Sequence, residues 1–157
     1  MEKRISWDEY FTEIAELVSK RSTCRRQVGA VITKENIIVS TGYNGSPKGL
    51  KHCSDNGGCL RLNNNIPSGT RQEFCRAVHA EQNAIIQAAV HGVSIKDGTL
   101  YTNTYPCGIC ARMIVNACIK RIVYNSDYED ELAKQMLEEA KIEIIKLKNK
   151  KRERVII

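Results

Sequence analysis

The spacing of apolar residues changes along the chain, and each change marks a different predicted element. Ser6 and Glu9 form the signature of a capping box, and the apolar residues that follow recur at helical spacing, which predicts an amphipathic helix over residues 7 to 20. Two β-branched runs, at 28 to 33 and at 37 to 41, are separated by a short polar stretch. This arrangement predicts a β-hairpin.

From residue 78 onward, helical and strand patterns alternate. A helix is predicted from about 78 to 91 and is closed by Gly92, and a second helix begins at Pro106. The remaining predicted elements are strands at 99 to 102 and 121 to 124, a helix at about 129 to 140 and a strand at 142 to 145. A hairpin followed by this alternation predicts an α/β fold with a mixed sheet of five strands, covered by helices, in which crossover connections favour parallel pairing.

Residues 43 to 75 form a long segment in which apolar residues follow neither the helical nor the strand spacing. Gly, Asn, Ser, Pro and Cys dominate it, and a loop of this length inside a compact domain is usually functional or held by an additional interaction. We expect a metal to hold it.

The bulk properties of the 157 residues fit one soluble domain. No apolar run is long enough for a membrane helix, and the start of the chain lacks the apolar stretch of a secretory signal, so we expect a cytoplasmic protein without a membrane partner. The net charge of +6 is concentrated after residue 145, where six basic residues accompany one acid. We therefore predict a domain over 1–147 and a solvated basic tail over 148–157, and a nucleic-acid partner is not favoured.

Seven cysteines in a chain without an export signal favour metal binding or catalysis over disulfides. His79 and Glu81 form a His-x-Glu motif, and Pro106 introduces the Cys107-x-x-Cys110 motif. One histidine and two cysteines supply three zinc ligands and leave a fourth position open, as in catalytic zinc sites. The cysteine pair by itself also fits a redox dithiol or part of a structural zinc site, but the neighbouring motifs disfavour both alternatives.

The complete pattern is the signature of zinc-dependent nucleobase deaminases. Zinc activates a water at neutral pH, and Glu81 is the candidate acid–base residue that takes the proton of this water and delivers protons to the ring nitrogen and then to the departing amine.

At these motifs the chain resembles the deoxycytidylate deaminases, within the bacterial and phage-type branch that includes late-competence deaminase-like proteins. The resemblance extends from Ser6 to about Leu147 and includes the motifs at 28 to 32 and 42 to 47. It implies a three-layer α/β/α cytidine-deaminase-like fold with helices on both faces of the sheet. It also implies hydrolytic deamination of dCMP to dUMP, a homo-oligomer, and dCTP and dTTP as effectors. The alternatives are another deaminase substrate (dCTP, a nucleoside or an RNA base) and a competence-related protein associated with nucleic acid.

The resemblance further assigns substrate contacts. Asn44 would contact the sugar or base region, although an Asn-Gly pair is also a turn signal in its own right. The pyrimidine pocket would be lined by Val28, Ala30 and Ala80. The candidates for the 5′-phosphate are Arg25, Arg26 and Ser46, although the two arginines also fit an exposed loop.

Four further cysteines suggest a second, structural zinc that holds the long loop: Cys24, Cys53, Cys59 and Cys75. His52 is an alternative ligand, and four independent free thiols are the other interpretation. Cys118 lies among apolar residues of a predicted helix, so we expect it in the core.

Overall fold

The computed structural model describes residues 4–148, so residues 149–157 of the predicted basic tail lie outside it. The strands are β1 (Gly29–Lys34), β2 (Ile37–Tyr43), β3 (Thr99–Thr102), β4 (Arg121–Tyr124) and β5 (Glu143–Lys146). The helices are α1 (Trp7–Ser19), α2 (Leu60–Asn63), α3 (Ala80–Val90), α4 (Gly108–Asn116) and α5 (Glu131–Glu139). None of the helices in the described range is long and apolar enough to cross a membrane.

The five strands form one mixed sheet in the order β2-β1-β3-β4-β5. β1 pairs antiparallel with both β2 and β3, whereas the β3–β4 and β4–β5 pairs are parallel. The β1–β2 turn contains Glu35 and Asn36, both with positive φ, as in the turns that match the twist of a hairpin. The predicted hairpin and the mixed sheet are both confirmed.

Side chains that alternate along the strands build a core on each face of the sheet. On one face, Phe11 and Ala15 of α1 pack against Val31, Tyr101 and Val123. The other face carries a larger core, which consists of residues from the remaining strand positions and from α3, α4 and α5. The predicted three-layer α/β/α arrangement with helices on both faces is therefore confirmed.

Two glycines let helices approach the sheet closely. A Cβ at Gly42 would collide with the backbone of Ala80 and Ala84 in α3, and one at Gly29 would collide with the backbone of Ala15 in α1. Because no other residue lacks a Cβ, Gly42 determines how closely the first turn of α3 approaches β2.

An ion pair fixes α1 at the amino end of the parallel strands. The guanidinium of Arg121 donates to both carboxylate oxygens of Asp8, over 2.7 and 2.6 Å, and the hydroxyl of Tyr101 donates to the same carboxylate over 3.0 Å. The hydrogen bond from Arg121 lowers the pKa of Asp8. The contacts of Asp8, Tyr101 and Arg121 thus stabilise the packing of α1 at this end of the sheet. The candidate site lies at the opposite end, where the parallel strands terminate.

The segment after β2 is mostly irregular, as predicted, but it contains local structure that the sequence pattern did not show. It includes the single turn of α2 and two short 3-10 turns, Cys53–Asp55 and Gln72–Phe74. Gly45 and Val78 exchange two backbone hydrogen bonds of 3.1 and 2.9 Å. The two ends of the segment are therefore held together directly before His79.

One expectation about the core was wrong. Cys118 is exposed, because α4 ends at Asn116 and Cys118 adopts a left-handed conformation with φ of 56°. The helical pattern places this residue on the buried face only if the helix continues, and the chain reverses there instead.

Candidate active site

The three predicted zinc ligands lie where two helices begin. His79 is the N-cap of α3 and Cys107 is the N-cap of α4, with Cys110 in the first turn of α4. The side chain of Gln82 accepts a hydrogen bond of 2.8 Å from the backbone N–H of His79, which fixes the start of α3. Helix N-termini favour negative charge, so both thiols lie where thiolates are stabilised.

The ligand atoms of the three residues lie close enough to bind one ion. Nδ1 of His79 is 3.3 Å from Sγ of Cys107 and 3.4 Å from Sγ of Cys110. Tetrahedral zinc bonds to nitrogen and sulfur place such ligand atoms about 3.6 Å apart. Within residues 4–148, this is the one group of three or more potential ligands whose atoms all lie within 4.8 Å of one another. The donor set and its geometry fit zinc.

The pKa values of the three ligand groups are shifted in different directions. Hydrogen bonds from Cys110 and His79 lower the pKa of Cys107 to about 4, despite its burial. The hydrogen bond with Cys107 and burial raise the pKa of Cys110. Hydrogen bonds with Cys107 and Cys75 raise the pKa of His79 to about 10. The mutual hydrogen bonds thus make Cys107 the most acidic of the three groups and favour the protonated form of His79.

Glu81 is buried beside these ligands. Its Oε2 atom accepts a hydrogen bond of 3.4 Å from the thiol of Cys110, and burial raises the pKa of its carboxyl group. Although Glu81 and His79 are two residues apart, both line the same cavity. A carboxyl group with a raised pKa next to a metal site is suited to accept a proton and to return it.

The site opens into a cavity of about 890 Å³. Among the residues of 4–148 that line it, Glu81 is the one Asp or Glu, and its side chain is buried. The lining also contains four arginines: Arg25, Arg26, Arg61 and Arg76. A cavity with this charge distribution favours an anionic ligand whose reactive group lies next to Glu81.

Comparison with known proteins agrees with this geometry. The sequence model of the family described as the cytidine and deoxycytidylate deaminase zinc-binding region matches residues 5–126. The chain belongs to this family. The resemblance inferred from the motifs is thereby confirmed, and so is the assignment to a zinc-binding deaminase fold.

Family members of known identity align with most of the chain. The deoxycytidylate deaminase of Schizosaccharomyces pombe is 38% identical over 143 residues, which are 90% of this chain but 44% of that protein. The chain therefore spans less than half the length of this relative. ComE operon protein 2 of Bacillus subtilis is 37% identical over 144 residues, 90% of this chain and 71% of that protein.

A solved structure of the family shares the fold throughout. The crystal structure of dCMP deaminase from the cyanophage S-TIM5, in complex with dCMP and dUMP, matches with a TM-score of 0.74 at 27% sequence identity. The match covers 93% of this chain and 100% of the phage chain. The sheet and helices of this deaminase-family chain thus correspond to a complete phage enzyme.

Most of the substrate contacts expected from the resemblance lie at the cavity. Its lining includes Val28, Asn44, Ala80 and both Arg25 and Arg26. Ala30 lies instead in the core beneath the cavity, fully buried, and the hydroxyl of Ser46 is buried without a hydrogen-bond partner.

Two asparagines hold the segment that leads into β1. Asn44 accepts from the N–H of Val28 over 2.8 Å and donates to the carbonyl of Arg26 over 2.8 Å. From the other side, Asn103 accepts from the N–H of Gly29 over 3.0 Å and donates to the carbonyl of Gln27 over 3.0 Å. Each of the four consecutive residues from Arg26 to Gly29 thus has one backbone group paired with an asparagine side chain. These hydrogen bonds fix the backbone that carries the side chains of Arg26 and Val28. No sequence pattern indicated the contribution of Asn103.

The long loop is joined to the segment after β4 across the cavity. Arg61 donates to the side-chain oxygen of Gln72 over 2.8 Å, and Gln72 donates to the hydroxyl of Tyr128 over 2.7 Å. The guanidinium of Arg26 lies over the ring of Tyr128, 5.1 Å from its centroid, and donates to the carbonyl of Asp127 over 3.0 Å. No local sequence pattern signals these contacts, because they join residues far apart in the chain.

The four cysteines assigned to a second zinc all line the same cavity and are half-buried: Cys24, Cys53, Cys59 and Cys75. Burial raises the pKa of Cys24, and the other three thiols add to this effect. Hydrogen bonding with His79 lowers the pKa of Cys75. The four residues therefore line one cavity, but no three of their sulfur atoms lie within 4.8 Å of one another in the described part of the chain, and Cys75 interacts with the catalytic ligand His79. Nδ1 of His52, the alternative ligand, lies 3.3 Å from the hydroxyl oxygen of Thr23.

We expect the zinc affinity of the His79 site to rise steeply with pH. Zinc binds neutral imidazole and thiolates, so binding must release the protons of His79, whose pKa is about 10, and of Cys110, whose pKa is also raised. Cys107 has already lost its proton above a pH of about 4. With two protons released, the association constant rises about 100-fold per pH unit between pH 5 and 8. Competition with a chelator across this range measures the slope, and an affinity independent of pH would contradict the assignment of protons.

Proposed function

We propose that this protein is a zinc-dependent deaminase that converts dCMP and water to dUMP and ammonia. The observation that carries the proposal is a group of three potential zinc ligands beside a buried Glu81, in a cavity whose described lining also contains four arginines. The chain is similar to the entire phage dCMP deaminase chain that was crystallised with dCMP and dUMP. This similarity supports the choice of substrate.

The three ligands and Glu81 have different roles in this reaction. His79, Cys107 and Cys110 would hold the ion through one nitrogen and two sulfur atoms, which leaves one tetrahedral position free. A bound zinc supplies a water whose pKa is lowered to about 7. Both thiolates lie at the first turn of α4, where the helix dipole stabilises their charge.

Glu81 moves the protons. Deamination at C4 of cytosine forms a carbon–oxygen bond and breaks the carbon–nitrogen bond to the amino group, which leaves as ammonia. In this reaction Glu81 accepts one proton from water and transfers it to N3 of the ring, and it then transfers the second proton of that water, from the oxygen now bonded to C4, to the departing amino group. The raised pKa that burial gives its carboxyl group suits both transfers, because neither protonation state is too stable.

The arginines at the cavity supply the anion-binding part of the proposal. Arg26, held by Tyr128 and by the carbonyl of Asp127, is the best-fixed candidate for the 5′-phosphate, with Arg25 beside it. Val28, Asn44 and Ala80 line the cavity where the nucleoside would lie. Ala30 would support this wall from the core, and Ser46 would contribute only if its buried hydroxyl reached the ligand.

A second zinc belongs to the same proposal. Cys24, Cys53, Cys59 and Cys75 supply four thiols from separate parts of the chain, and four thiolates form a closed, structural zinc site. All four line the same cavity, which supports the proposal, and zinc binding would have to draw their sulfur atoms closer together, because no three of those described lie within 4.8 Å of one another. A zinc held there would stabilise the long loop that forms one wall of the cavity.

Further properties follow from the proposal rather than from the described contacts. They are a cytoplasmic location, assembly into a homo-oligomer, and dCTP and dTTP as effectors. The division into a deaminase domain over 1–147 and a basic tail over 148–157 is also part of the proposal.

A substrate panel tests the choice of nucleotide. The zinc-loaded protein should deaminate dCMP with a higher kcat/KM than dCTP, deoxycytidine or CMP, as measured by the loss of cytosine absorbance, with zinc content determined on the same sample. Equal kcat/KM for dCMP and deoxycytidine would show that the arginines do not select a phosphate. A preference for dCTP would replace the proposed substrate with the triphosphate.

A further inference from the structure

One carboxylate joins the first turns of two helices at the metal site. Asp130 is the N-cap of α5, and its Oδ1 accepts a hydrogen bond of 3.0 Å from the N–H of Ala133. Its other oxygen, Oδ2, accepts a hydrogen bond of 2.8 Å from the N–H of Gly108. Gly108 follows Cys107 directly and is the first residue of α4.

The amide of Gly108 needs this partner. The first N–H groups of a helix have no acceptor within the helix, and Gly108 is buried. A buried N–H without an acceptor is costly, so loss of the Asp130 carboxylate would favour movement of the backbone between the two metal-ligating cysteines.

The identity of both residues fits this contact. A serine, threonine or asparagine can also cap a helix, but each offers one strong acceptor, whereas a carboxylate offers two. Asp130 uses both of its oxygens, one for each helix. In addition, a Cβ at Gly108 would lie only 3.3 Å from Oδ2 of Asp130, so glycine leaves space for the carboxylate.

We infer that Asp130 is a positioning residue for the zinc site, which sets the affinity of the site by holding the α4 backbone that carries Cys107 and Cys110. In the described residues its carboxylate forms no hydrogen bond with either cysteine side chain, and it acts through the N–H of Gly108. Residues that orient metal ligands in this way typically change metal affinity about 10- to 100-fold when they are replaced. The inference concerns metal binding and does not depend on which nucleotide is the substrate.

Asp130→Ser and Asp130→Asn separate the two functions of the carboxylate. Each variant keeps one acceptor for the N–H of Ala133, so α5 retains its cap, but neither can also accept from Gly108. We expect both variants to fold and to bind zinc about 10-fold more weakly than the wild type in competition with a chelator. The thiolate-to-cobalt absorption bands of the Co²⁺-loaded variants should also shift, because the two sulfur atoms are less firmly placed.

Ser6→Ala provides the matched control. Ser6 caps α1 on the other face of the sheet, where its hydroxyl accepts from the N–H of Glu9 over 3.2 Å. This variant should lower the thermal midpoint and leave the zinc affinity and the cobalt spectrum unchanged. Zinc affinity within twofold of the wild type in both Asp130 variants would overturn the inference, as would an equal loss of affinity in Ser6→Ala. A protein that binds zinc in this way but does not turn over dCMP would refute the proposed function alone.

Discussion

The variant Glu81→Gln is expected to lose about 100-fold to 10,000-fold in kcat for dCMP deamination while it still binds zinc. Glutamine has nearly the same shape as glutamate and is neutral, so it adds no charge to the buried site. The fold should therefore tolerate the change. The amide of glutamine, however, cannot accept a proton from water and cannot deliver protons to N3 of the ring and to the amino group.

Two measurements isolate this effect from damage to the site. Zinc content and the thermal midpoint of Glu81→Gln should match those of the wild type, which would show that the loss lies in proton transfer. If the variant kept a kcat within tenfold of the wild type, another group would have to move the protons and the role given to Glu81 would be wrong.

The largest change in metal content is expected from Cys107→Ala. Cys107 is one of only three protein ligands proposed for the catalytic ion, and its thiolate also interacts with His79 over 3.3 Å. Its removal should eliminate one equivalent of zinc and reduce deamination below detection, since two remaining ligands hold zinc weakly. Zinc per chain, measured on purified protein together with activity, checks this result.

Other cysteines provide the controls for this experiment. Cys118→Ala alters an exposed residue outside both groups of ligands and should retain all of the zinc and activity. Cys59→Ser should remove the other equivalent if the four loop cysteines bind a second ion. An unchanged zinc content in Cys107→Ala would contradict the catalytic site, whereas an unchanged content in Cys59→Ser would contradict only the structural one.

The order of the strands and of the longer helices α1, α3, α4 and α5 could be predicted because each depends on a local period. Both faces of the sheet follow from alternation within the strands, and α1 begins where the Ser6 capping box predicts. The metal ligands were also accessible, because His79 and Cys107 are N-caps whose short motifs fix their local geometry. The start of α5 shifted by two residues, since Asp130 caps this helix.

The contacts that shape the cavity could not be predicted in the same way. Asn103 pairs with backbone groups 74 and 76 residues away, and Gln72 contacts Tyr128 at a separation of 56 residues. Such pairs depend on how the sheet and the long loop come together, which no local pattern records. Cys118 shows the converse error, because the helical period continues in the sequence past the point where α4 ends.

The central claim is hydrolytic deamination of dCMP at the His79–Cys107–Cys110 site, and product analysis in oxygen-18 water tests it most directly. Incubation of the zinc-loaded protein with dCMP should yield dUMP and ammonia in equal amounts, and each dUMP should carry one oxygen-18 atom at C4. Glu81→Gln should form this product at no more than about one hundredth of the wild-type rate. Absence of dUMP from a fully zinc-loaded sample, or dUMP without the label, would contradict the account.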